Sequence, residues 1–495
     1  MQATRNSSDR SRMVQGVLPT GPDVGWSAGL RVQLGGQGTL AHAGVVLPRH
    51  LGDRLDLTGE LAQVVARAGF LPGRERGRLL TDTVCALAAG ATCLTDIEAM
   101  TAQVELFGPG GGASDSTLLR ALDEFADRIG ADGLPGRRLA RAMARVRDRA
   151  WQAVEDRHGG LPAVAVAGVD LRRDSDRDGQ GEGPGEGRGR PVVVLRVDAT
   201  LVEAASGKAQ AAGHFKGGFG FHPIGAWCSN TGESLAVMLR PGNAGSFTAA
   251  DHVKVIDAAF AQVPARWRSD VLVTIDGAGA SHEVIDHLTG VNTAVAHGRR
   301  GRRVEYSIGW PVDDRTTGAI TRLPNSAWAD ALTAQGRVDE DAQVAELTGI
   351  LRPGGPGGDE LDTWPEDLRV IARRTKRPEG KPAKFGEDLD YEYGAFATNT
   401  AGGQLQHLDA RHRTQAHVED AGQADQGVRG PEPALGQLPA QRRLARPGRP
   451  RPDPDLLAAA DRRRRLPSPA RPRRPCATGS CPHRPAWSTT PEPAR

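Results

Sequence analysis

PVVVLRVDAT, residues 191–200, reads as a strand buried on both faces that ends on a carboxylate, Asp198, followed at once by the small residues Ala199 and Thr200. A continuous β-branched run of this kind, without polar alternation, belongs in the middle of a sheet covered on both sides. VLVTIDGAGA, residues 271–280, repeats the pattern: a buried strand Val271–Ile275, then Asp276, then Gly277-Ala278-Gly279-Ala280. A carboxylate at the carboxyl edge of a buried strand, beside backbone that lets a ligand approach, is where a metal-dependent phosphodiester site is built. Either aspartate alone also reads as an ordinary strand-end cap, but a pair on neighbouring strands favours the metal reading.

Between the two runs, Gly218 to Trp227 and Ser234 to Leu239 read as further strands joined by short turns. Thr248 to Phe260 reads as a helix through its Val253, Ile256, Ala259 and Phe260 face, and a helix is expected again from Ser281 to Leu288. Three strands in succession, a helix, then a fourth strand, with acids ending the first and fourth, is a ribonuclease-H-like arrangement. The fold class expected is therefore α/β. Residues 192–299 form the first part of the ribonuclease-H-like core, 300–400 a mostly β insertion that includes Arg369–Arg374 and Gly394–Thr398, and 401–420 the catalytic helix segment.

Upstream, residues 1–57 are Gly-rich and read as a flexible arm with one strand-like piece, Ala43 to Leu47. From 58 to 160 apolar residues recur at three- and four-residue steps, as in Leu61, Val64, Val65 and Phe70, then Leu79, Leu80, Val84 and Leu87. Ser114-Asp115-Ser116 is placed to cap a helix carrying Leu118, Leu119, Leu122 and Phe125. This is a helical domain of several short helices. Residues 161–191 read as a charged, Gly-rich linker. Its Asp174-x-Asp176-x-Asp178-Gly179 mimics half of a calcium loop, but position twelve is Gly185 and no helix flanks it, so a solvated linker is the better reading.

Residues 421–495 hold about fifteen Pro, as many Arg and no Lys, with hardly a periodic apolar run, and are expected to be disordered. Over the whole chain of 495 residues, 63 basic and 60 acidic side chains nearly cancel, so any nucleic-acid argument has to be local. The five Cys are scattered without short paired spacings, which suits a reducing compartment and excludes a disulfide framework; Cys476, Cys481 and His483 read as an incidental cluster. The start lacks an apolar signal region, and the longest mainly apolar run, Val84 to Leu94, falls short of the roughly 20 residues that span a bilayer. A soluble protein of the cytoplasm is expected, with no membrane partner.

Two hard cations need oxygen ligands from more than two groups, and adjacent ions are bridged by a shared carboxylate, so a third acid is expected from a later helix. Glu419, in LDARHRTQAHVED with Arg411, His412, Arg413 and His417 nearby, is the candidate; its plain alternative is an exposed, solvated helix face. Asp276 follows Asp198 by 78 positions, room for the intervening strands and helix, whereas the 143 positions from Asp276 to Glu419 require an insertion. In the stretch Gly213 to His252, His214, Lys216, His222, Arg240 and Asn243 suit contacts to phosphate, and the amides of the Gly242-Asn243-Gly245 turn face a backbone oxygen. Arg411 and Arg413 are assigned the same DNA-binding role. A hairpin with routine surface bases is the alternative for any one of the residues between Gly213 and His252.

The phrases VDATLV, KGGFGFHPIGAW, GESLAVMLRPGNAGSFTAADH, TIDGAGASH and FATNT, with RHR and VED, resemble bacterial insertion-sequence DDE transposases of the insertion-sequence-1380 family. The likeness runs from about Arg74 to Asp420, and LRPGNAGS is its most specific part. The resemblance implies a DDE core interrupted by a β insertion, a helical N-terminal region that helps bind element ends, magnesium as a pair of ions with Mn2+ able to substitute, and a homodimer on double-stranded DNA of element ends and target in the bacterial nucleoid. It places the triad on Asp198, Asp276 and Glu419.

The sequence departs from that pattern in two places. Related transposases have Ser after the second aspartate, where this chain has Gly277. They also continue past the glutamate with a basic helix and an apolar closing segment, whereas here AGQADQGVRGPEPALGQLPAQ comes after Asp420. The Arg/Pro/Ala/Gly bias resembles GC-rich coding sequence in a shifted frame, which implies a frameshift near codon 420. The functions expected are a DNA transposase, inactivated in that case; a non-catalytic DNA-binding remnant; or a metal-dependent nuclease without strand transfer.

Overall fold

The computed structural model describes residues 42–108, 111–173, 189–204, 210–245, 248–293, 301–352, 361–378, 388 and 390–414. All of them belong to one compact unit, Met1–Val428. The calcium-loop mimic at 174–179, the Cys476 cluster and Glu419 lie outside the described residues.

Seven helices come first: α1 Val46–Arg54, α2 Leu57–Val65, α3 Arg76–Ala88, α4 Leu94–Thr101, α5 Val104–Phe107, α6 Asp115–Ala126 and α7 Arg137–His158. Helical structure thus begins upstream of residue 58, and the strand-like piece expected at Ala43 to Leu47 is a 3-10 turn running into α1. Pro48 explains the difference: it occupies the first turn of α1, where no intrahelical partner for an N–H is needed. The Glu75 carboxylate starts α3 by accepting from Gly77 N at 2.8 Å. In α7 the buried face is Leu139, Ala142, Val146 and Trp151, and Gly159, at φ +76°, ends the helix.

Helix α7 bolts the helical region to the sheet. The Arg147 guanidinium, 7% exposed, donates to Glu233 at 2.8 Å and to Ser234 O at 2.9 Å, and also meets Gln262. Within the segment expected as linker, residues 161–173 and 189–191 are described and take part in the fold. Leu161 is buried, and the short strands β1 Ala165–Val166, β2 Val169–Asp170, β3 Arg172–Arg173 and β4 Arg190–Pro191 pair as β1 with β2 and β3 with β4.

The remaining elements are β5 Val193–Ala199, β6 Val202–Glu203, β7 Ala212–Gly213, β8 Phe219–Phe221, β9 Ile224–Cys228, β10 Glu233–Met238, α8 Ala249–Gln262, β11 Asp270–Ile275, α9 His282–Val291, β12 Arg303–Trp310, α10 Asp314–Thr321, β13 Ala329–Leu332, β14 Val338–Glu346, α11 Thr348–Leu351, β15 Arg369–Lys376, β16 Tyr391–Thr398 and α12 Leu405–Arg413. Nine strands form one sheet in the order β10-β9-β5-β11-β12-β16-β15-β14-β13. The first three in sequence, β5, β9 and β10, form an antiparallel meander, while β11 and β12 run parallel to β5. From β16 onward every pairing is antiparallel. β12 is hydrogen-bonded along its length to β11, so the core ladder runs past residue 300, where the sequence reading starts the insertion.

Strand alternation divides the sheet into two unlike faces. Val193, Leu195 and Val197 of β5, Val271, Val273 and Ile275 of β11, and Val304, Tyr306 and Ile308 of β12 enter the principal core with Val255, Ile256 and Ala259 of α8 and Val284, Ile285 and Leu288 of α9. The other face carries Arg196 and Asp198, Thr274, and Glu305 and Ser307, and α12 packs across it through Leu408 against Ile371 and Phe396. Among the described residues Cys85, Cys93 and Cys228 are free thiols, and no helix is long and apolar enough to cross a membrane.

Candidate active site

The parallel register puts the two aspartates side by side. Val197 pairs with Ile275, and Asp198 and Asp276 are the next residue on each strand. Asp198 is half-buried and Asp276 exposed, so both sit where the sheet meets solvent. The Asp198 carboxylate accepts from Ala199 N at 2.8 Å. After Asp276 the chain tightens into a 3-10 turn, Gly277–Gly279, with Gly279 N donating to Asp276 O at 3.1 Å. This turn lies directly on β12: a Cβ added at Gly309 would stand 2.5 Å from Gly277 N and 3.0 Å from the Asp276 carbonyl carbon. Gly309 therefore lets the Asp276 turn close over the neighbouring strand.

From the opposite face, α8 brings His252 towards the same edge. Its imidazole is held below the ordinary histidine range by burial, against the opposing pull of its bond to Thr248 O, 3.0 Å, and of the Asp276 charge. Two carboxylates on neighbouring strand ends are a donor set suited to a hard divalent ion. Among the described residues no group of three or more His, Cys, Asp or Glu comes together as a metal site.

Across the sheet, α12 approaches β5 with its C-terminal end. The Arg411 guanidinium, 3% exposed, donates to Glu305 at 3.0 Å and to Thr398 and Thr400. Burial alone would raise the Glu305 carboxyl, but Arg173 and Arg411 outweigh it and hold it below the usual carboxylate range. The His412 ring stacks on Phe396, centroids 4.7 Å apart, and meets Ser307 Oγ at 3.0 Å. Arg196, two residues before Asp198 on the same face, is 4% exposed; its guanidinium donates to Ser229 Oγ and to Thr414 O, just past α12. Burial pushes its pKa down to about 10, and a cation against a helix C-terminus is favourably placed.

Comparison with known proteins adds a family to this geometry. Residues 188–421 match the family model Transposase DDE domain group 1. Over these residues the chain is similar to a DDE transposase domain. Such a domain is an enzyme of the polynucleotidyl transferase class. No curated protein matches the chain. Among solved structures, similarity is found to the cryo-EM structure of the piggyBac transposase synaptic complex with hairpin DNA, at 9% identity and a TM-score of 0.36, over 77% of this chain and 68% of that one.

Within the matched segment, the residues expected to contact DNA divide into two groups. Lys216 and Asn243 are exposed. The others are engaged internally: His214 Nε2 with Glu203 at 2.8 Å, His222 Nδ1 with Ala244 O at 2.8 Å, and Arg240 with His222 O at 2.9 Å and with Gly245 O and Asp251 at 3.1 Å. Arg411 is committed to Glu305, and half-buried Arg413 donates to Asp409 at 3.0 Å and to Leu332 O. In the structure these five side chains brace the matched segment, and their visible contacts are internal. Sequence reading passed over Arg196, although a lone arginine inside VVVLRVD was its signal: a charge in an apolar strand has to meet a specific partner.

Proposed function

We propose that the chain is a DNA transposase that cleaves and joins DNA at insertion-sequence ends, of the insertion-sequence-1380 type, built on a ribonuclease-H-like core. The observation that carries this is the pair Asp198 and Asp276 at the ends of adjacent parallel strands, within the segment that matches a DDE domain. Asp198, Asp276 and Glu419 would hold magnesium, with Mn2+ as a substitute. When bound, two such ions supply charge that stabilises the attacking and leaving oxygens of phosphodiester transfer. The chain's own part is positional: the β5–β11 ladder fixes the spacing of the two aspartates, and Gly277, directly after Asp276, brings no side chain to its approach. On this reading Lys216 and Asn243 touch the DNA backbone, His214, His222, Arg240, Arg411 and Arg413 serve the same contact, and a homodimer would hold the two element ends together in the bacterial nucleoid.

The test is cleavage and joining of element-end duplexes by the purified chain with Mg2+, set against Asp198→Asn and Asp276→Asn. Metal-dependent products that vanish in both variants support the proposal. Nicks without joined products, and without preference for ends, would instead support a nuclease.

A second reading has its own support, because the family match stops at residue 421, where the Arg/Pro-rich composition begins. On this reading the gene is frameshifted near codon 420 and the product is a DNA-binding remnant. End binding without cleavage would support it, as would another frame of codons 410 to 440 that continues into a basic helix and an apolar closing segment. If no frame does so, the frameshift is refuted.

A further inference from the structure

The excursion between β5 and β9 is not used by the two carboxylates, yet it rises beside one of them. β6 starts four residues after Asp198, and Thr200 N donates to Pro223 O at 3.0 Å as the chain returns. β6, β7 and β8 make a small sheet of their own, in the order β6-β8-β7. The β7–β8 turn is His214-Phe215-Lys216-Gly217-Gly218, closed by His214 N to Gly218 O at 3.0 Å, with Gly217 at φ +85°. The Glu203 carboxylate braces both limbs, meeting His214 Nε2 at 2.8 Å and Phe219 N at 3.4 Å. Below it, Phe221 bridges to Pro241, and Arg240 ties His222 O to Asp251 of α8.

On this braced support the tip presents an aromatic ring to solvent. Phe215 is 70% exposed and Phe219 44%. The Phe215 ring leans on buried His222, centroids 5.8 Å apart, and the Lys216 ammonium stands 5.7 Å from its centroid. A large apolar side chain held in the open by a rigid turn, with a cation beside it, matches the two demands of an unpaired nucleotide, a flat face for the base and a positive charge for the phosphate. A duplex offers no such base face until a strand end is opened, and strand ends are what the carboxylate edge would handle.

We propose that Phe215 is a stacking platform for the first unpaired base at the DNA end held at Asp198 and Asp276, with Lys216 contacting the adjoining phosphate. The inference rests on the DNA-processing reading of the site and adds a specific contact to it. Binding of the full-length chain to two forked duplexes tests it in metal-free buffer: one with a base at the first unpaired position, one abasic there. The wild-type chain should prefer the base-containing fork about tenfold. Phe215→Ala should abolish that preference, and Phe215→Trp should keep it. Lys216→Ala should weaken both forks alike and lower the salt dependence by about one ion.

Equal losses on both forks with Phe215→Ala, or no loss on either, would overturn the platform while leaving DNA binding at the site intact. Absence of fork binding by the wild-type chain would overturn both the platform and the DNA reading. A change in self-association with Phe215→Ala, without a change in fork preference, would reassign the ring to contact between copies of the chain.

Discussion

Replacing Gly309 with alanine adds one carbon at the point where β12 meets the Asp276 turn. That Cβ would lie 2.5 Å from Gly277 N, 2.8 Å from Gly277 Cα and 3.0 Å from the Asp276 carbonyl carbon. All three are backbone atoms, so no rotamer relieves the overlap; the turn has to move by about 1 Å to restore ordinary contact. Overpacking of this kind costs about 1–3 kcal/mol, which lowers Tm by about 2 °C per kcal/mol in a domain of this size. The same displacement carries Asp276 away from Asp198, and if the pair is catalytic, as proposed, a misplacement of about 1 Å costs on the order of a hundredfold in rate. Thermal unfolding with and without Mn2+ reads both effects, because a ligand at 100 times its Kd stabilises by about 2.7 kcal/mol. Gly309→Ala should melt earlier and lose most of its metal-dependent shift. Gly318→Ala is the control: it lies inside α10 with nothing within 4 Å of its added Cβ, so it should gain about 0.5–1 kcal/mol and respond to metal normally. If Gly309→Ala matched the wild type in both Tm and metal response, the coupling of β12 to the Asp276 turn would be refuted.

Arg147→Met removes the donor shared by Glu233, Gln262 and Ser234 O; breaking a buried charge network of this kind should cost about 3 kcal/mol in urea unfolding, and a loss under about 1 kcal/mol would show that α7 is not the bolt. His412, pushed down to about 4 by burial with Arg411 and Arg413 adding to it, stays neutral in the fold while the unfolded chain protonates below about pH 6.5. Stability should therefore fall between about pH 6.5 and pH 4, by at most about 3 kcal/mol and less where solvent reaches the ring, and His412→Phe should flatten that limb. Glu305, held low by Arg173 and Arg411, acts with the other sign of charge: its contribution is full above the unfolded carboxylate pKa of about 4.3 and is lost only at lower pH, so Glu305→Gln should leave the limb from about pH 6.5 to 4.5 unchanged. Arg196→Met keeps the apolar stem but frees the Thr414 carbonyl; amide exchange over Leu405–Arg413 should speed up several-fold with little change in Tm, and unchanged exchange would remove Arg196 as the anchor of α12.

Much of the core was readable because burial on both faces leaves a plain trace. VVVLRVD and VLVTID had to be central strands, and the observed β5 and β11 differ from the expected bounds by one or two residues. β12 was hidden because Glu305 and Ser307 break its apolar run; only the folded chain shows that Arg411 and His412 cover them. The internal partners of the residues expected to contact DNA were hidden in the same way. His222, Arg240 and Arg411 have the side chains of a phosphate site, and nothing local in the sequence shows that carbonyls and carboxylates of distant segments already occupy them. At Ala43 to Leu47, β-branched residues suggested a strand, and the first-turn tolerance for Pro48 decided for helix.

The way α12 is held bears on whether fold and activity stand or fall together. Its described anchors all precede residue 415: Leu408 against Ile371 and Phe396, Asp409 on Arg373 at 2.7 Å, Arg411 on Glu305, and the Thr414 carbonyl on Arg196. None of these contacts uses anything beyond Asp420, so a change of reading frame there leaves the packed face of the sheet, and with it the Asp198–Asp276 pair, intact. The third acid is different. Glu419 comes five positions after Thr414, so on the proposed reading its service to the metal depends on how far the chain keeps a fixed course beyond the last described anchor. On the proposed reading the chain separates two properties: a core fixed by strand ladders and buried charge pairs, and a catalytic competence that would rest on Glu419 and on the chain that continues past Asp420. On the frameshift reading, placing the chain in the alternative frame after Asp420 should change cleavage without moving the Tm of the core, whereas a joint change in both would mean that the new segment also packs on the sheet.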